Sequence, residues 1–330
     1  MPANLTQQYL KAEAEYRRAS TPEEELECLQ VMLRELPKHK GTDKLNAELK
    51  HKISKIKKEL QQPQPKGKRG GQRILRQGAG RAVIIGGPNA GKSQLLRSLT
   101  RATPEVAPYP FTTTEATPGM MPWEDVMVQL IDTPPITADY FDPVTQGLIR
   151  GADLVLLMVD VGMDDGIDAL QAVLDHLAST KTRLASQSSL DENDIGVSYT
   201  QTLLVPNKID LPESNELLDW MHECCPLDLP EYPISAAHGM GLETLRNAIY
   251  EPLDVVRVYT KLPSVKEPDY DRPFTIQRGG TLSEIAELIH KDFAENLKFA
   301  RVWGSAVHDG TQVKGDYVLH DKDVVELHVA

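Results

Sequence analysis

The sequence predicts an α/β fold, with a doubly wound sheet domain between a helical hairpin and a small α+β module. Between about residues 80 and 260, short β-branched segments alternate with helical stretches, as in parallel sheets covered by helices on both faces. Before this region, leucines and isoleucines recur at steps of three and four. After residue 271 the order changes to strand, helix and strands. These patterns divide the chain into 1–62, a linker at 63–79, 80–260 and 271–330.

Residues 1–62 predict an antiparallel helical hairpin. Thr21, Pro22 and Glu24 have the arrangement of a capped helix start. The apolar positions of the two helices are Leu26, Leu29, Leu33 and Leu36, then Leu45, Leu49, Ile53, Ile56 and Leu60. The linker that follows is rich in Gln, Pro, Gly and basic residues, which is typical of a linker or a glycine-rich loop.

The sheet domain is predicted to begin with a strand at 81–86. Further strands are predicted at 127–132, 153–160, 202–206 and 232–235, and helices at 93–100, 166–178, 216–224 and 242–250. Residues 179–198 are polar and aperiodic, which predicts a surface loop. In the last module we predict a strand at 273–276, a helix capped by Thr281 and Glu284, and strands at 299–303 and 324–329.

The composition is that of an ordinary globular protein. The 330 residues suffice for two domains and a small third, with 40% hydrophobic and 25% charged residues. The longest apolar runs are too short to span a bilayer, and the polar first residues are unlike a secretory signal. The three cysteines have no metal-ligand spacing. We therefore expect a cytoplasmic protein with no disulfide framework and no membrane contact.

Charge is unevenly distributed along the chain. The net charge is −12, yet residues 38–76 carry thirteen Lys and Arg against three acids, so the rest sums to −22. A basic segment on an acidic body indicates a polyanionic partner such as nucleic acid. The alternative interpretation is a solvated helix surface.

A phosphate-binding loop is the most specific motif. Residues 86–93 read Gly-Gly-Pro-Asn-Ala-Gly-Lys-Ser, between a predicted strand and a predicted helix. Glycines let backbone N–H groups surround the β-phosphate, Lys92 reaches the β- and γ-phosphates, and Ser93 ligates Mg²⁺. The candidate phosphate-binding residues are Gly86, Gly87, Pro88, Asn89, Ala90, Gly91, Lys92, Ser93 and Gln94.

A second motif indicates guanine as the base. Asn207-Lys208-Ile-Asp210 follows a predicted strand, 115 residues after Lys92. A carboxylate at Asp210 can accept hydrogen bonds from N1–H and the exocyclic amine of guanine, a donor pair that adenine lacks. Ser235, Ala236 and Ala237 follow the next strand, where backbone N–H groups can face the guanine O6.

These residues resemble the translation-factor class of GTPases, and more closely the Obg-related branch that includes the developmentally regulated GTP-binding proteins. Residues 109–114, Tyr-Pro-Phe-Thr-Thr-Thr, resemble the first switch of that branch. Residues 50–60 with the glycines at 67–71 resemble its N-terminal helices. The segments 280–281, 299–304 and 321–327 resemble its TGS module, a ubiquitin-like β-grasp. The interval between Asp132 and Asn207 is too short for the domain that the developmentally regulated proteins insert there.

The resemblance implies a GTPase that uses GTP, GDP and Mg²⁺. It implies catalytic roles for Lys92, Thr113 and Asp132, and metal contacts for Ser93, Thr113 and Asp132. Thr112 and Thr114 are alternatives to Thr113, since the three threonines are adjacent. It also implies a ribosome or RNA partner, bound through residues 38–76 and the TGS module.

Two features set this chain apart from the pattern. Where the family has Asp-x-Pro-Gly, this chain has Asp132-Thr-Pro-Pro135, and a proline has no N–H to offer the γ-phosphate. Ile136 follows, so no glutamine stands there to orient water, which predicts slow intrinsic hydrolysis.

Asn89 resembles an asparagine that holds K⁺ in potassium-activated GTPases; the alternative is a turn-forming Asn.

Three functions follow as alternatives. The leading one is a Mg²⁺-dependent switch that binds GTP and hydrolyses it slowly. The second, motivated by Pro135, is a scaffold that binds guanine nucleotide with little switching. The third, an ATPase or kinase, is disfavoured by Asn207 and Asp210. The oligomeric state stays open.

Overall fold

The computed structural model describes most of the chain. The described residues are 6–18, 22–37, 42–61, 74–100, 116–180, 182–190, 197–263, 265 and 267–329. The predicted helix cap Thr21, most of the linker and the candidate switch threonines Thr112, Thr113 and Thr114 lie outside these residues.

The N-terminal region contains three helices in its described part, one more than predicted. They are α1 (Gln7–Arg18), α2 (Pro22–Glu35) and α3 (Asp43–Gln61). Their shared core is formed by Tyr9, Ala12, Leu29, Met32, Leu36, Leu45, Leu49, Ile53 and Ile56. The two-helix prediction was therefore incomplete, because Tyr9 and Ala12 of α1 complete a core that α2 and α3 share.

A seven-stranded sheet forms the centre of the α/β domain. Its strands are β1 (Arg81–Gly86), β2 (Thr117–Trp123), β3 (Val126–Asp132), β4 (Leu154–Asp160), β5 (Thr182–Ala185), β6 (Ser189–Leu190) and β7 (Ser198–Asn207). The order is β2-β3-β1-β4-β7-β5, with β6 paired to β7. Strands β2 and β6 run antiparallel to their neighbours, and the other pairs are parallel.

Helices cover both faces of this sheet, as predicted for a doubly wound domain. They are α4 (Lys92–Leu99), α5 (Pro143–Arg150), α6 (Asp165–Ser179), α7 (Ser214–Cys224) and α8 (Leu242–Tyr250). Apolar residues of α4 and α8 pack in one core cluster, and those of α5, α6 and α7 pack in another. Among the described residues no helix is long and apolar enough to cross a membrane.

Two sequence expectations for this domain were wrong. The predicted loop at 179–198 contains β5, β6 and the first residue of β7, because pairing with β7 orders these polar residues. The predicted strand at 232–235 is reduced to isolated bridges of Glu231 and Ile234 with β7. Tyr232 and Ile234 donate to the carbonyls of Leu204 and Pro206, but Pro206 has no N–H to donate in return, so the ladder is interrupted there.

The C-terminal domain is a five-stranded mixed sheet with two helices. Its elements are β8 (Val255–Thr260), β9 (Asp269–Gln277), α9 (Leu282–Ile289), α10 (Lys291–Asn296), β10 (Leu297–Gly304), β11 (Val307–Val313) and β12 (Asp323–Val329). The order is β11-β10-β12-β8-β9. Thr281 and Glu284 form the predicted capping box at the start of α9.

The sequence analysis placed residues 80–260 in the α/β domain, but strand β8 at 255–260 belongs to the C-terminal domain. It pairs with β9 and β12, and Val256 and Val258 lie in the core of the C-terminal domain. The sequence analysis predicted no strand at 255–260, and one of the two strands that pair with β8, β12, lies more than sixty residues further along the chain.

Candidate functional site

The predicted site residues meet at one edge of the α/β sheet. The phosphate loop follows β1, Asp132 ends β3, and Asn207 ends β7. These are the carboxyl ends of parallel neighbours, where open α/β sheets bind their ligands.

The phosphate loop has a backbone that needs its glycines. Gly86 has φ 154° and Gly91 has φ 93°, in the range where glycine is favoured. A side chain at Gly86 would collide with the carbonyl oxygen of Met158, and one at Gly91 with the Asn207 amide. Asn89 has φ 58°, a conformation that asparagine tolerates, and its side chain is exposed.

Lys92 is buried inside the loop. Its side chain is 7% exposed, and Nζ donates to the carbonyl oxygens of Gly87 at 2.7 Å and Gly86 at 3.1 Å. Burial lowers the pKa of Lys92 to about 8, and the Asp132 carboxylate opposes this shift. The loop thus concentrates a positive charge beside its backbone N–H groups.

Gln94 on α4 is exposed and contacts Ser98 at 3.3 Å, one turn along its own helix.

Ser93 and Asp132 face each other at the end of the loop. The Ser93 hydroxyl donates to Asp132 Oδ2 at 2.5 Å. Asp132 Oδ1 is buried and has no hydrogen-bond partner within the described residues. Burial raises the pKa of Asp132, and hydrogen bonding by Ser93 opposes that rise.

This pair fits a Mg²⁺ site that is completed by phosphate and water. An unpartnered buried carboxylate oxygen beside a hydroxyl supplies the hard oxygen ligands that Mg²⁺ prefers. No group of three or more His, Cys, Asp or Glu in the described part of the chain could hold a metal ion by itself. Mg²⁺ commonly uses one or two protein ligands with phosphate oxygens, so the fit does not require such a group.

The segment after Asp132 is hydrogen-bonded to β1 and to the start of the phosphate loop. The Thr133 hydroxyl donates to the Ile84 carbonyl at 2.7 Å, and the Ile136 N–H donates to the Gly86 carbonyl at 3.2 Å. Ile136 is 1% exposed and lies in a core cluster of the domain. The two prolines between them add stiffness, so this segment has little freedom to rearrange.

Asn207 joins two loops of the site. Its Nδ2 donates to the Ala90 carbonyl at 2.9 Å, and its Oδ1 accepts from the Ala236 N–H at 3.0 Å. The motif predicted proximity to the base but not this structural role. The Ala236 N–H is thus engaged by Asn207 in this structure, and the expectation that backbone N–H groups of residues 235–237 face the guanine O6 stays a prediction.

The residues that we expect to read the base, Asp210 and Ser235, lie close together, and His238 lies beside them. Lys208 has φ 74° and forms an ion pair with the buried Asp160. The Asp210 carboxylate lies 3.2 Å from His238 Nδ1, and a hydrogen bond from Ser235, more than His238, lowers the pKa of Asp210. Asp210 is therefore an ionised acceptor. Sequence reasoning missed His238, for which the only signal was its place just after Ala237.

Comparison with known proteins agrees with this site. Residues 81–188 match the family model described as a 50S ribosome-binding GTPase, and residues 256–329 match the TGS domain. An uncharacterised GTP-binding protein of Methanocaldococcus jannaschii is 28% identical over 361 residues, covering 92% of each chain. Developmentally regulated G-protein 1 of Arabidopsis thaliana is 27% identical, covering 92% of this chain and 90% of its own.

The chain is a GTPase-domain protein similar to the developmentally regulated GTP-binding proteins. The Obg-related grouping was a looser description. The TGS match begins at residue 256, so β8 belongs to the TGS domain by sequence similarity as well as by pairing.

The relatives are longer within the aligned region. The alignment with the archaeal protein spans 361 positions, whereas 92% of this chain is about 304 residues. Roughly 57 positions of the alignment therefore face gaps in this chain.

Solved structures also resemble the chain. A GTP-binding protein from Pyrococcus horikoshii OT3 is 13% identical with a TM-score of 0.46, covering 76% of this chain and 100% of its own. The G domain of the T. maritima FeoB iron transporter is 24% identical with a TM-score of 0.36, covering 52% of this chain and 97% of its own.

Proposed function

We propose that the protein is a Mg²⁺-dependent guanine-nucleotide switch that binds GTP and GDP and hydrolyses GTP slowly. The observation that supports it most is the contact of Ser93 with Asp132 beside the phosphate loop, which leaves one buried carboxylate oxygen unpartnered. Ser93, Asp132 and Thr113 would hold the Mg²⁺. The metal, when bound, neutralises charge on the phosphate oxygens.

The residues of this chain would position and stabilise the reacting phosphate. Backbone N–H groups of the loop and the N-terminus of α4 stabilise the anion, and Lys92 contacts its β- and γ-phosphates. Water attacks the γ-phosphorus in line, the bond to the bridging oxygen breaks, and GDP and phosphate leave. Pro135 offers no N–H to the γ-phosphate and Ile136 cannot orient water, so the intrinsic rate is slow.

Guanine specificity is assigned to Asp210. Hydrogen bonding by Ser235 and His238 lowers the pKa of this carboxyl, so it is ionised at neutral pH. An acceptor-only carboxylate suits the two N–H donors of guanine and opposes the N1 lone pair of adenine.

A non-switching scaffold is the second candidate function. The hydrogen bonds of Thr133 and Ile136 to the Ile84 and Gly86 carbonyls favour it, because they hold the segment Thr133–Ile136 after Asp132 in one arrangement. Equal affinity for GDP and a non-hydrolysable GTP analogue would support this alternative, since such a ligand pair shifts no equilibrium.

The proposed partner is the ribosome or RNA. The basic segment 38–76 supports it, because Lys and Arg contacts to phosphates supply sequence-independent affinity. The GTPase model that matches the chain is also described as ribosome-binding. Binding to ribosomes or RNA should weaken steeply from low to high salt, and a salt-independent interaction would contradict the proposal.

The first experiment is GTP turnover with Mg²⁺ in KCl and in NaCl. We expect slow turnover that Ser93→Ala abolishes, with a control variant at an exposed serine, Ser186→Ala, unchanged. Faster turnover in KCl that Asn89→Ala removes would support a K⁺ ion at Asn89, acting on transition-state charge. No turnover in either salt, with GDP still bound, would favour the scaffold.

A further inference from the structure

The β2–β3 hairpin connects the nucleotide site to the TGS domain. At one end Thr117 pairs with Asp132, and at the other Trp123 pairs with Val126. Seven residues of strand span about 20 Å. One end of the hairpin thus carries the proposed Mg²⁺ ligand, and the other is the turn at Glu124 and Asp125.

Arg257 of TGS strand β8 holds that turn. Its Nη1 contacts Asp125 Oδ1 at 2.8 Å and also the Glu124 carboxylate, and the Arg257 side chain is 5% exposed. The Tyr259 hydroxyl, two residues along β8, donates to Asp125. Glu124 has φ 46°, a conformation that is unfavourable for glutamate and that these contacts help to maintain.

The Arg257 guanidinium contacts carboxylates of both domains. Its Nε and Nη2 bind the two carboxylate oxygens of Asp321, within the TGS domain, at 3.1 and 2.7 Å. The backbone N–H of Arg257 also donates to Asp321 at 2.8 Å. Asp321 therefore orients Arg257 without the GTPase domain, and Nη1 faces the hairpin.

At the hairpin turn, Trp123 of β2 contacts both α8 and β8. The Trp123 ring stacks on Tyr250 of α8 with 3.5 Å between centroids and 11° between planes. Its Nε1 donates to Asn247 Oδ1 at 2.9 Å. Arg257 lies 5.4 Å from the centre of the Trp123 ring. A displacement of the hairpin along its axis would change the contacts to β8 and α8 together.

We propose that Arg257 is a positioning residue that couples the nucleotide site to the TGS domain through the β2–β3 hairpin. The inference rests on the proposed function, because it needs a nucleotide-dependent rearrangement at Asp132. Strand β3 ends at Asp132, which pairs with Thr117 of β2, and the hairpin is a paired, stiff element. Linkage is reciprocal, so the hairpin–TGS contact influences the preference between GTP and GDP.

The test uses the full-length chain with the hairpin carboxylates neutralised. In Glu124→Gln/Asp125→Asn, the Arg257–Asp321 pair and all proposed nucleotide contacts are retained. The control is Glu243→Gln, an exposed carboxylate on α8 whose partner is Arg246. We expect the ratio of affinities for a non-hydrolysable GTP analogue and GDP to change about fivefold in the double variant and not in the control. A ratio equal to that of the parent protein would overturn the proposal.

Amide hydrogen exchange of β8 gives a second readout that general destabilisation would not mimic. In the parent protein, exchange at residues 255–260 should differ between the GDP and analogue complexes, and the difference should disappear in the double variant. Persistence of the difference in the variant, or its absence in the parent, would contradict the coupling. Failure of the parent to bind guanine nucleotide would instead contradict the proposed function.

Discussion

At the residue scale, Asn207 is the structural centre of the nucleotide site. Its amide connects the phosphate loop to the loop at Ala236, and its side chain is 3% exposed. Both partners are backbone groups, so the Asn207 side chain fixes the distance between the phosphate loop and the loop at Ala236. A bound nucleotide would contact the first loop with its phosphates and the second with its base.

Asn207→Ala should weaken the fold as well as nucleotide binding. It leaves the Ala90 carbonyl and the Ala236 N–H unpaired, at a cost of about 2–3 kcal/mol in the free energy of unfolding. We expect the melting temperature to fall by about 5–10 °C in calorimetry. The exposed Asn215→Ala on α7 is the control, and equal melting temperatures for both variants would contradict the assigned role.

Asp210→Asn should change specificity far more than stability. An exposed amide in place of the carboxylate presents a donor to the guanine amine, so the affinity for GDP should fall by about 100-fold. Xanthine has a carbonyl where guanine has that amine, so the variant should gain affinity for xanthosine diphosphate. Both are measurable by calorimetric titration. With Asp219→Asn as control, unchanged GDP affinity in Asp210→Asn would refute the base-reading role.

At the scale of elements, the segment Thr133–Ile136 behaves as part of the core. Its hydrogen bonds to Ile84 and Gly86 and the burial of Ile136 oppose the mobility that a switch requires. The sequence departure at Pro135 therefore has a structural counterpart in an anchored segment.

Pro135→Gly should restore γ-phosphate sensing. It adds an N–H and backbone freedom, and one hydrogen bond to a charged group corresponds to about a tenfold gain in affinity. The affinity for a GTP analogue relative to GDP should rise by that factor, while the free energy of unfolding falls by about 1 kcal/mol. Pro143→Gly, at the start of α5, is the control. An equal affinity ratio in both variants would show that Pro135 does not limit sensing.

Two of the elements that the sequence analysis missed, β2 and α5, have weak local sequence signals. Strand β2 contains Pro118, Gly119 and Pro122, which read as a loop, but an edge strand tolerates them and β3 pairs with it at all seven positions. Helix α5 is only eight residues long, although Asp142 and Pro143 are a recognisable helix start. By contrast, β1 and the phosphate loop were predictable because their signals are local.

At the scale of the whole molecule, the two domains meet where β8 begins. Val255 packs in a core cluster of the GTPase domain, whereas Val256 and Val258 pack in the TGS core. No local pattern in the sequence distinguishes these valines, so the boundary is found from the strand pairing and from the TGS match rather than from local sequence.

Truncation tests this boundary. A chain that ends after Val255 should not self-associate through a β8 edge, because it keeps the GTPase core and lacks nearly all of the TGS strand. A chain that ends after Thr260 carries β8 with both edges unpaired and should self-associate. Size-exclusion chromatography at matched concentrations separates the two outcomes, and identical elution behaviour would place the boundary elsewhere.

The position of β12 has a consequence for protein synthesis. This strand lies between β10 and β8, so until it is made the TGS sheet consists of two separate hairpins, β8–β9 and β10–β11. Because chains emerge from the N-terminus, the GTPase domain can fold first, while its neighbour waits for residues 323–329. Asp321, which orients Arg257, is made just before that strand. The contacts that orient Arg257 toward the hairpin can therefore form only after most of the TGS domain has been synthesised, and shorter nascent chains carry an incomplete TGS sheet.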